Sequence, residues 1–109
     1  MKIMFVICNT PDEVTAGRIA RTLIDERLAA CVNQLPPCRS VYRWQDAVEE
    51  AVEVPLLIKT TAGAYPALEA RLQALHPYDV PEIVAWEAAA GLPAYLTWVS
   101  GQVISSRTD

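Results

Sequence analysis

Six consecutive apolar residues near the N-terminus, at positions 3–8, constrain the fold more than any other feature of the chain. A run of this length is typical of a central β-strand that is covered on both faces. A helix start follows at once, because Thr10 is placed to act as an N-cap, Pro11 suits the first helical position and Glu13 completes a capping box. The sequence therefore predicts a buried strand that leads directly into a helix over residues 11–28.

The rest of the chain alternates between the two periodicities. The further predicted elements begin with a second strand at 30–35, which Pro36 and Pro37 interrupt and which resumes at 38–44. They continue with a strand at 47–58, a helix from Tyr65 that ends at His76, a strand at 82–87 and a short helix that begins at Pro93. The segment at 47–58 would suit a helix by propensity, but its period-two alternation favours a strand, with Pro55 at an edge or a bulge. Gln45 and Asp46 are the expected hairpin turn, although neither is the glycine that such turns usually need. Residues 100–109 carry no firm signal.

This order of elements predicts the fold class. A β-α-β-β-α-β order followed by a terminal helix is typical of an α+β, ferredoxin-like split βαβ plan, here as a single domain spanning residues 1–109. Its helices lie on one face of the sheet, so the other face needs a cover. Apolar residues make up 52% of the 109 positions, which is high for a chain of this size. We therefore expect the open sheet face and the long hairpin to associate with further copies of the chain.

Charge and cysteine content exclude several classes of protein. Nine basic residues against thirteen acidic ones give a net charge of −4, and the basic residues are scattered, so a nucleic-acid partner is not expected. No apolar run approaches the roughly 20 residues that span a bilayer, and none suits a signal peptide, so no membrane partner is expected either. Three cysteines without CxxC spacing argue against a secreted disulfide framework. We expect a cytoplasmic protein.

Six short segments resemble, in order and spacing, those of one known family. They are residues 8–13 (CNTPDE), 28–33 (LAACVN), 40–44 (SVYRW), 57–61 (LIKTT), 76–83 (HPYDVPEI) and 95–98 (YLTW). With them the chain resembles the CutA divalent-ion tolerance proteins over residues 2–100. The resemblance implies a ferredoxin-like subunit in a homotrimer whose neighbouring subunits pair strands edge to edge. It also implies involvement in tolerance of copper and other divalent ions.

The resemblance further implies two candidate metal ligands, Cys8 and His76. Copper ligation proposed for some family members uses a cysteine at the position of Cys8 and two adjacent histidines, one of which is replaced by Leu75 here. Copper(I) prefers thiolate donors, whereas copper(II) and zinc favour imidazole. We therefore expect copper or another divalent cation as the bound species, and no organic cofactor. Two alternatives stay open: Cys8 as an ordinary core side chain, and His76 as a helix C-cap or an interface residue.

A second candidate group lies near predicted strand ends in the most family-like segments. Trp44, Lys59, Tyr78 and Glu82, beside His76, offer an indole, a cation, a phenol and a carboxylate, which could line a site for a small polar ligand. The same groups would also suit a network between subunits. An alternative function is therefore a trimeric signalling module that resembles the PII regulators, and a third is a purely structural assembly. No phosphate loop, metalloprotease helix or nucleophile elbow is present, so no enzymatic activity is expected.

Overall fold

A computed structural model describes residues 2–104 of the chain. Its elements are, in chain order, β1 (Ile3–Thr10), α1 (Glu13–Asp25), β2 (Cys31–Gln34), β3 (Cys38–Trp44), β4 (Ala47–Thr61), α2 (Tyr65–Leu75), β5 (Ile83–Glu87) and α3 (Pro93–Gln102). The predicted α+β class and the order of elements are confirmed. Of the C-terminal residues without a firm signal, 100–102 belong to α3 and 105–109 lie outside the described range. None of the helices between residues 2 and 104 is long and apolar enough to cross a membrane.

The longest strand, β4, organises the sheet. Strands lie side by side in the order β2-β4-β1-β5, and every described pair is antiparallel. The second half of β4 lies between β1 and β2, whereas its first half pairs with β3 alone. We call β3 together with residues 47–53 of β4 the hairpin. With the hairpin, the described part of the chain measures 44 Å along its longest axis and 29 and 25 Å along the other two.

One face of the sheet forms the hydrophobic core with α1 and α2. The side chains that share full burial there are Val6 and Cys8 of β1, Leu56 and Ile58 of β4, Ile19 and Leu23 of α1, and Leu68 and Leu72 of α2. Their spacing of two along the strands and of about four along the helices is what places them on facing surfaces. Burial of each Leu or Ile stabilises the fold by about 1.5–3 kcal/mol. The core between this sheet face and the two helices therefore stabilises the fold of the single subunit.

The opposite face of the sheet is only partly covered. The third helix contacts β1 and β4, its residue Val99 is fully buried, and Ile3 and Thr61 are buried beside each other on this face. Farther along the sheet, Val84 is 53% and Trp86 is 46% exposed. The sequence expectation of an open apolar face therefore holds for the part that α3 does not reach.

The start of α1 differs from the sequence prediction. Thr10 is the last residue of β1 and not the N-cap, because its hydroxyl donates to the carbonyl of Val54 over 2.8 Å and so keeps it in the sheet. The cap is Asp12, whose carboxylate accepts from the Thr15 amide over 2.7 Å. Pro11 consequently precedes the helix, which spans Glu13–Asp25 and is shorter than predicted at both ends.

The long strand β4 is continuous through Pro55. Pro55 pairs with Asn9 in unbroken register with β1, and its carbonyl accepts from the Leu35 amide over 2.9 Å. The irregularity lies on the neighbouring strand, where three residues, 35–37, stand opposite two, 54 and 55. Pro55 thus lies at a bulge in its partner, where β4 passes from β2 to β3 and a missing amide is tolerated.

The hairpin turn forms at the two predicted residues without a glycine. Gln45 and Asp46 both adopt left-handed backbone conformations, with φ of 49° and 66°. Two successive positive φ values are the geometry of a type I′ turn, whose twist matches that of the flanking strands. The turn therefore costs strain that glycine would avoid.

Candidate functional site

An open cleft of about 590 Å³ lies between the hairpin and the loop that precedes β5. Its described lining consists of hairpin residues 40–42, 44, 49 and 53, loop residues 78–80 and 82, and Asn9 at the end of β1. A volume of this size suits a small-molecule ligand. We use "cleft" for this set of residues throughout.

The strand alternation places aromatic and acidic side chains on the same face of the hairpin. Tyr42 stands directly opposite Glu49 in the β3–β4 register, and directly opposed residues of antiparallel strands share a face. Trp44 lies two residues beyond Tyr42 on β3, and Glu53 lies four residues beyond Glu49 on β4, so all four point to the cleft side. Tyr78 faces them from the loop. The cleft therefore has three aromatic rings around a row of carboxylates.

Glu53 lies at the base of the cleft and is the best-buried carboxylate in it, with 7% of its surface exposed. Its oxygens accept from the Tyr78 hydroxyl over 3.0 Å and from the Asn9 side-chain amide over 3.5 Å. The same Asn9 amide donates to Glu82 over 3.2 Å. Burial, followed by the hydrogen bond to Glu53, raises the pKa of Tyr78 to about 12, so its hydroxyl stays a donor at neutral pH.

The cleft carries negative charge without a counter-charge. Its acidic residues are Glu49, Glu53, Asp79 and Glu82, and the residues that line it include no Lys, Arg or His. In the part of the chain that the structure describes, none of these four carboxylates lies within 4.0 Å of a basic nitrogen. The arrangement therefore attracts cations and repels anions.

The two predicted metal ligands lie next to each other, behind the cleft. His76 Nε2 donates to the backbone carbonyl of Asn9 over 2.7 Å, and the Cys8 thiol reaches the same oxygen at 3.9 Å. The fold brings them together because His76 caps the C-terminus of α2 while Cys8 lies near the end of β1. Both residues are buried.

Neither candidate ligand is in the state that binds a metal ion in this arrangement. His76 Nδ1 accepts from the Tyr78 amide over 3.2 Å, so the ring carries its proton on Nε2 and both nitrogens are engaged. Burial, together with the charges of Glu82 and Glu53, raises the pKa of the Cys8 thiol to about 12, which disfavours the thiolate that binds metals. Between residues 2 and 104, no three His, Cys, Asp or Glu side chains are close enough to hold one metal ion. One subunit therefore does not present a ready metal site, and ligation by Cys8 and His76 stays a prediction.

The predicted ligand group is brought together only in part. Trp44, Tyr78 and Glu82 line the cleft, but Lys59 does not. Lys59 shares a sheet face with Glu53 but lies six residues farther along β4, roughly 20 Å away in an extended strand. It is buried there, where its ammonium donates to the side-chain oxygen of Asn33 and lies 3.7 Å from Cys31 Sγ. The cleft consequently lacks the cation that the sequence interpretation gave it.

Eight residues that line the cleft were not among the sequence candidates, and they include Asn9, Tyr42, Glu49 and Glu53. The alternation of β3 already places Tyr42 on the same side as Trp44, and the period of β4 places Glu49 and Glu53 on one face. A signal for these three was therefore present in the strand pattern. Asn9 carried no such signal, because its role depends on the approach of a loop residue, Glu82, that lies 73 positions later in the chain.

Comparison with known proteins identifies the family. The sequence model of the CutA1 divalent ion tolerance protein family matches residues 4–102. The chain belongs to this family. It is 52% identical over 94 residues to the divalent-cation tolerance protein CutA of Thermus thermophilus, which covers 86% of this chain and 91% of that protein.

Solved structures of the family share the fold. The crystal structure of CutA from Xylella fastidiosa superimposes with a TM-score of 0.92 at 45% identity, covering 95% of this chain and 100% of that one. A structure described as the periplasmic divalent cation tolerance protein CutA from Archaeoglobus fulgidus gives a TM-score of 0.86 at 32% identity, covering 89% and 94%. The family resemblance found in the sequence is confirmed, and membership supports a role in tolerance of divalent cations.

Proposed function

We propose that the chain contributes to divalent-cation tolerance as a cytoplasmic, non-enzymatic homotrimer whose ligand-binding site is the cleft. The observation that carries this proposal is the cleft itself: it is preformed, of small-molecule size, and lined by aromatic and acidic groups that point inward. The role is then that of a ligand-responsive module, comparable with the PII regulators. Family membership supports the link to divalent cations.

Exposed apolar residues on the other face of the hairpin support the homotrimer. Val48 and Val52 are 63% and 58% exposed, and the register places them on the face that points away from the cleft. A surface of this kind is typical of a contact between subunits. The strand order β2-β4-β1-β5, with helices packed on one face, further supports a ferredoxin-like subunit.

A complementation experiment tests the role of the cleft. In cells that lack their own family member, the wild-type chain is expected to restore growth in toxic copper or zinc, and Glu49→Gln is expected to restore it poorly. Glu50→Gln is the matched control, because Glu50 is the next residue, lies on the other hairpin face and pairs with Arg39. Full restoration of growth by Glu49→Gln would show that the cleft is not the site through which the chain contributes to tolerance.

Direct copper binding by Cys8 and His76 is the second candidate function. Its support is the convergence of both side chains on the Asn9 carbonyl. Binding requires that Cys8 lose its proton and that one nitrogen of His76 give up its present partner. In calorimetric titration with copper(I), the heat of binding is expected to decrease in Cys8→Ser and in His76→Gln but not in Cys38→Ser, since the thiol of Cys38 is exposed and contacts Ser40 instead. Equal titrations in all variants would exclude this site.

A further inference from the structure

The side chains that line the cleft indicate which class of ligand it binds, because they combine aromatic rings with carboxylates that have no positively charged partner. Glu53 is more than nine-tenths buried, yet its two hydrogen-bond donors, Tyr78 and Asn9, are both neutral. A buried carboxylate is normally paired with a positive charge. With no basic side chain among the lining residues, the missing charge has to come from outside the subunit.

A bare metal ion does not fit the spacing of these carboxylates. Metal ions need several donors at bond distances of about 2.0–2.6 Å, and the described residues hold no group of three suitable side chains that close together. The acidic side chains are spread along a cavity of about 590 Å³, which a single ion would leave largely empty. The occupant is therefore larger than an ion.

The aromatic rings of the cleft provide the remaining evidence on the class of ligand. Tyr42, Trp44 and Tyr78 remain 40%, 42% and 37% exposed although they line one cavity, so their surfaces are available to a ligand. Aromatic faces attract organic cations, and the attraction grows when the cation is removed from water. From these observations we infer that the cleft binds a small organic ammonium ion, with the charge beside Glu53, in the negative field to which Glu49 also contributes, and the carbon groups against the rings. The inference rests on the cleft being the ligand site of the proposed function.

Choline and 3,3-dimethylbutan-1-ol are the probes for a first experiment, because they have the same shape and differ only in the charge. Titration calorimetry of the full chain, with the Trp44 indole resonance followed by NMR, is expected to show saturable choline binding and at least tenfold weaker binding of the neutral alcohol. Equal affinities, or no saturable response to choline, would overturn the inference.

Two adjacent glutamates provide the matched variants. Glu49→Gln is expected to weaken choline binding several-fold, while Glu50→Gln, on the opposite hairpin face, leaves it unchanged. Glu49 is exposed, so its substitution does not endanger folding. Glu53→Gln is expected to cause the largest loss of choline binding, and circular dichroism is used to check that this variant is folded. Equal effects of Glu49→Gln and Glu50→Gln would overturn the inference.

Other occupants give distinguishable results. Zinc chloride that displaces choline stoichiometrically from the cleft would replace the inference with a metal site. Choline binding that is seen only after the subunits are separated would show that a basic side chain of a second copy fills the cleft, and would also overturn it. Failure of choline binding with loss of complementation in Glu49→Gln would leave the proposed function standing and remove only the ligand class.

Discussion

The two halves of β4 lie in opposite environments although they form one unbroken strand. From Val54 to Thr61 the strand is buried almost throughout, in the part of the sheet that contains β1 and β2. From Ala47 to Val52 it is exposed except for partly covered Ala51, and it pairs only with β3. Apolar residues occur in both halves, so apolar content alone does not decide which half is buried.

The difference shows that the two halves serve separate purposes. The second half belongs to a core that the subunit completes by itself, with eight large side chains fully buried on one sheet face. The first half presents Val48 and Val52 on one face and cleft residues on the other, and no other part of the described subunit covers the valines. Stability is therefore expected to depend on the core half, and assembly and ligand binding on the hairpin.

The largest expected effect is a core truncation. Leu56→Ala removes a fully buried side chain and is expected to lower the free energy of unfolding by about 2–5 kcal/mol. Val48→Ala, in the hairpin, is expected to change the stability of the subunit by less than about 0.5 kcal/mol. Urea denaturation at several protein concentrations measures both. An equal, concentration-independent loss in Val48→Ala would show that the hairpin has a core of its own.

The next effect concerns assembly. Val48→Asp combined with Val52→Asp places two charges on the exposed apolar face of the hairpin and is expected to raise the dissociation constant of the proposed trimer at least about tenfold, or about 1.4 kcal/mol. Light scattering measures the mass, which falls toward the 12.0 kDa of one chain. Ala47→Asp is the control, because it adds a charge on the cleft side of the same hairpin. A wild-type chain that is itself monomeric at 12.0 kDa would contradict the trimer.

The sequence predicted the elements better than the side-chain contacts between them. The bounds of β3 and the start of α2 matched, because strict alternation and a proline in the first helical turn are local signals. The capping-box pattern of Thr10, Pro11 and Glu13 predicts Thr10 as the cap of α1, whereas the cap is Asp12. The deciding hydrogen bond, from Thr10 to Val54, joins residues 44 positions apart and is not visible in the sequence.

The candidate site could likewise be predicted from the sequence only in part. Period-two alternation identifies which face of β4 a residue lies on, so Glu53 and Lys59 were both identifiable as members of one face. It does not identify which end of that face the loop carrying Tyr78 approaches. The position of Lys59 near a predicted strand end groups it with Tyr78 and Glu82, whereas the structure places Glu53 beside Tyr78 instead.

The hairpin turn offers a smaller, stabilising change. Asp46 has a φ of 66°, which costs a non-glycine residue about 1–2 kcal/mol, part of which glycine loses again through the flexibility of the unfolded chain. Asp46→Gly is therefore expected to stabilise the subunit by about 0.5–1 kcal/mol in thermal denaturation. Ser40→Gly, within β3 and without a positive φ, is the control and is expected to destabilise it. A destabilised Asp46→Gly would mean that the turn relaxes in solution to another geometry.

The smallest effect is the pH dependence of the α1 cap, which belongs to the core half. The backbone hydrogen bond from Thr15 lowers the pKa of Asp12 below its ordinary value of 3.8. Because the folded-state pKa is the lower one, the stabilisation is fully present above pH 3.8 and is lost as the pH falls through the folded-state value. Asp12→Asn keeps a capping oxygen without a titrating group, so its stability is expected to vary less with pH in this acid range than that of the wild type, whereas Asp12→Ala is less stable already at neutral pH. Thermal denaturation from neutral pH into the acid range measures all three. Identical acid profiles for the wild type and Asp12→Asn would show that the charge of Asp12 contributes nothing and that the cap acts through its hydrogen bond alone.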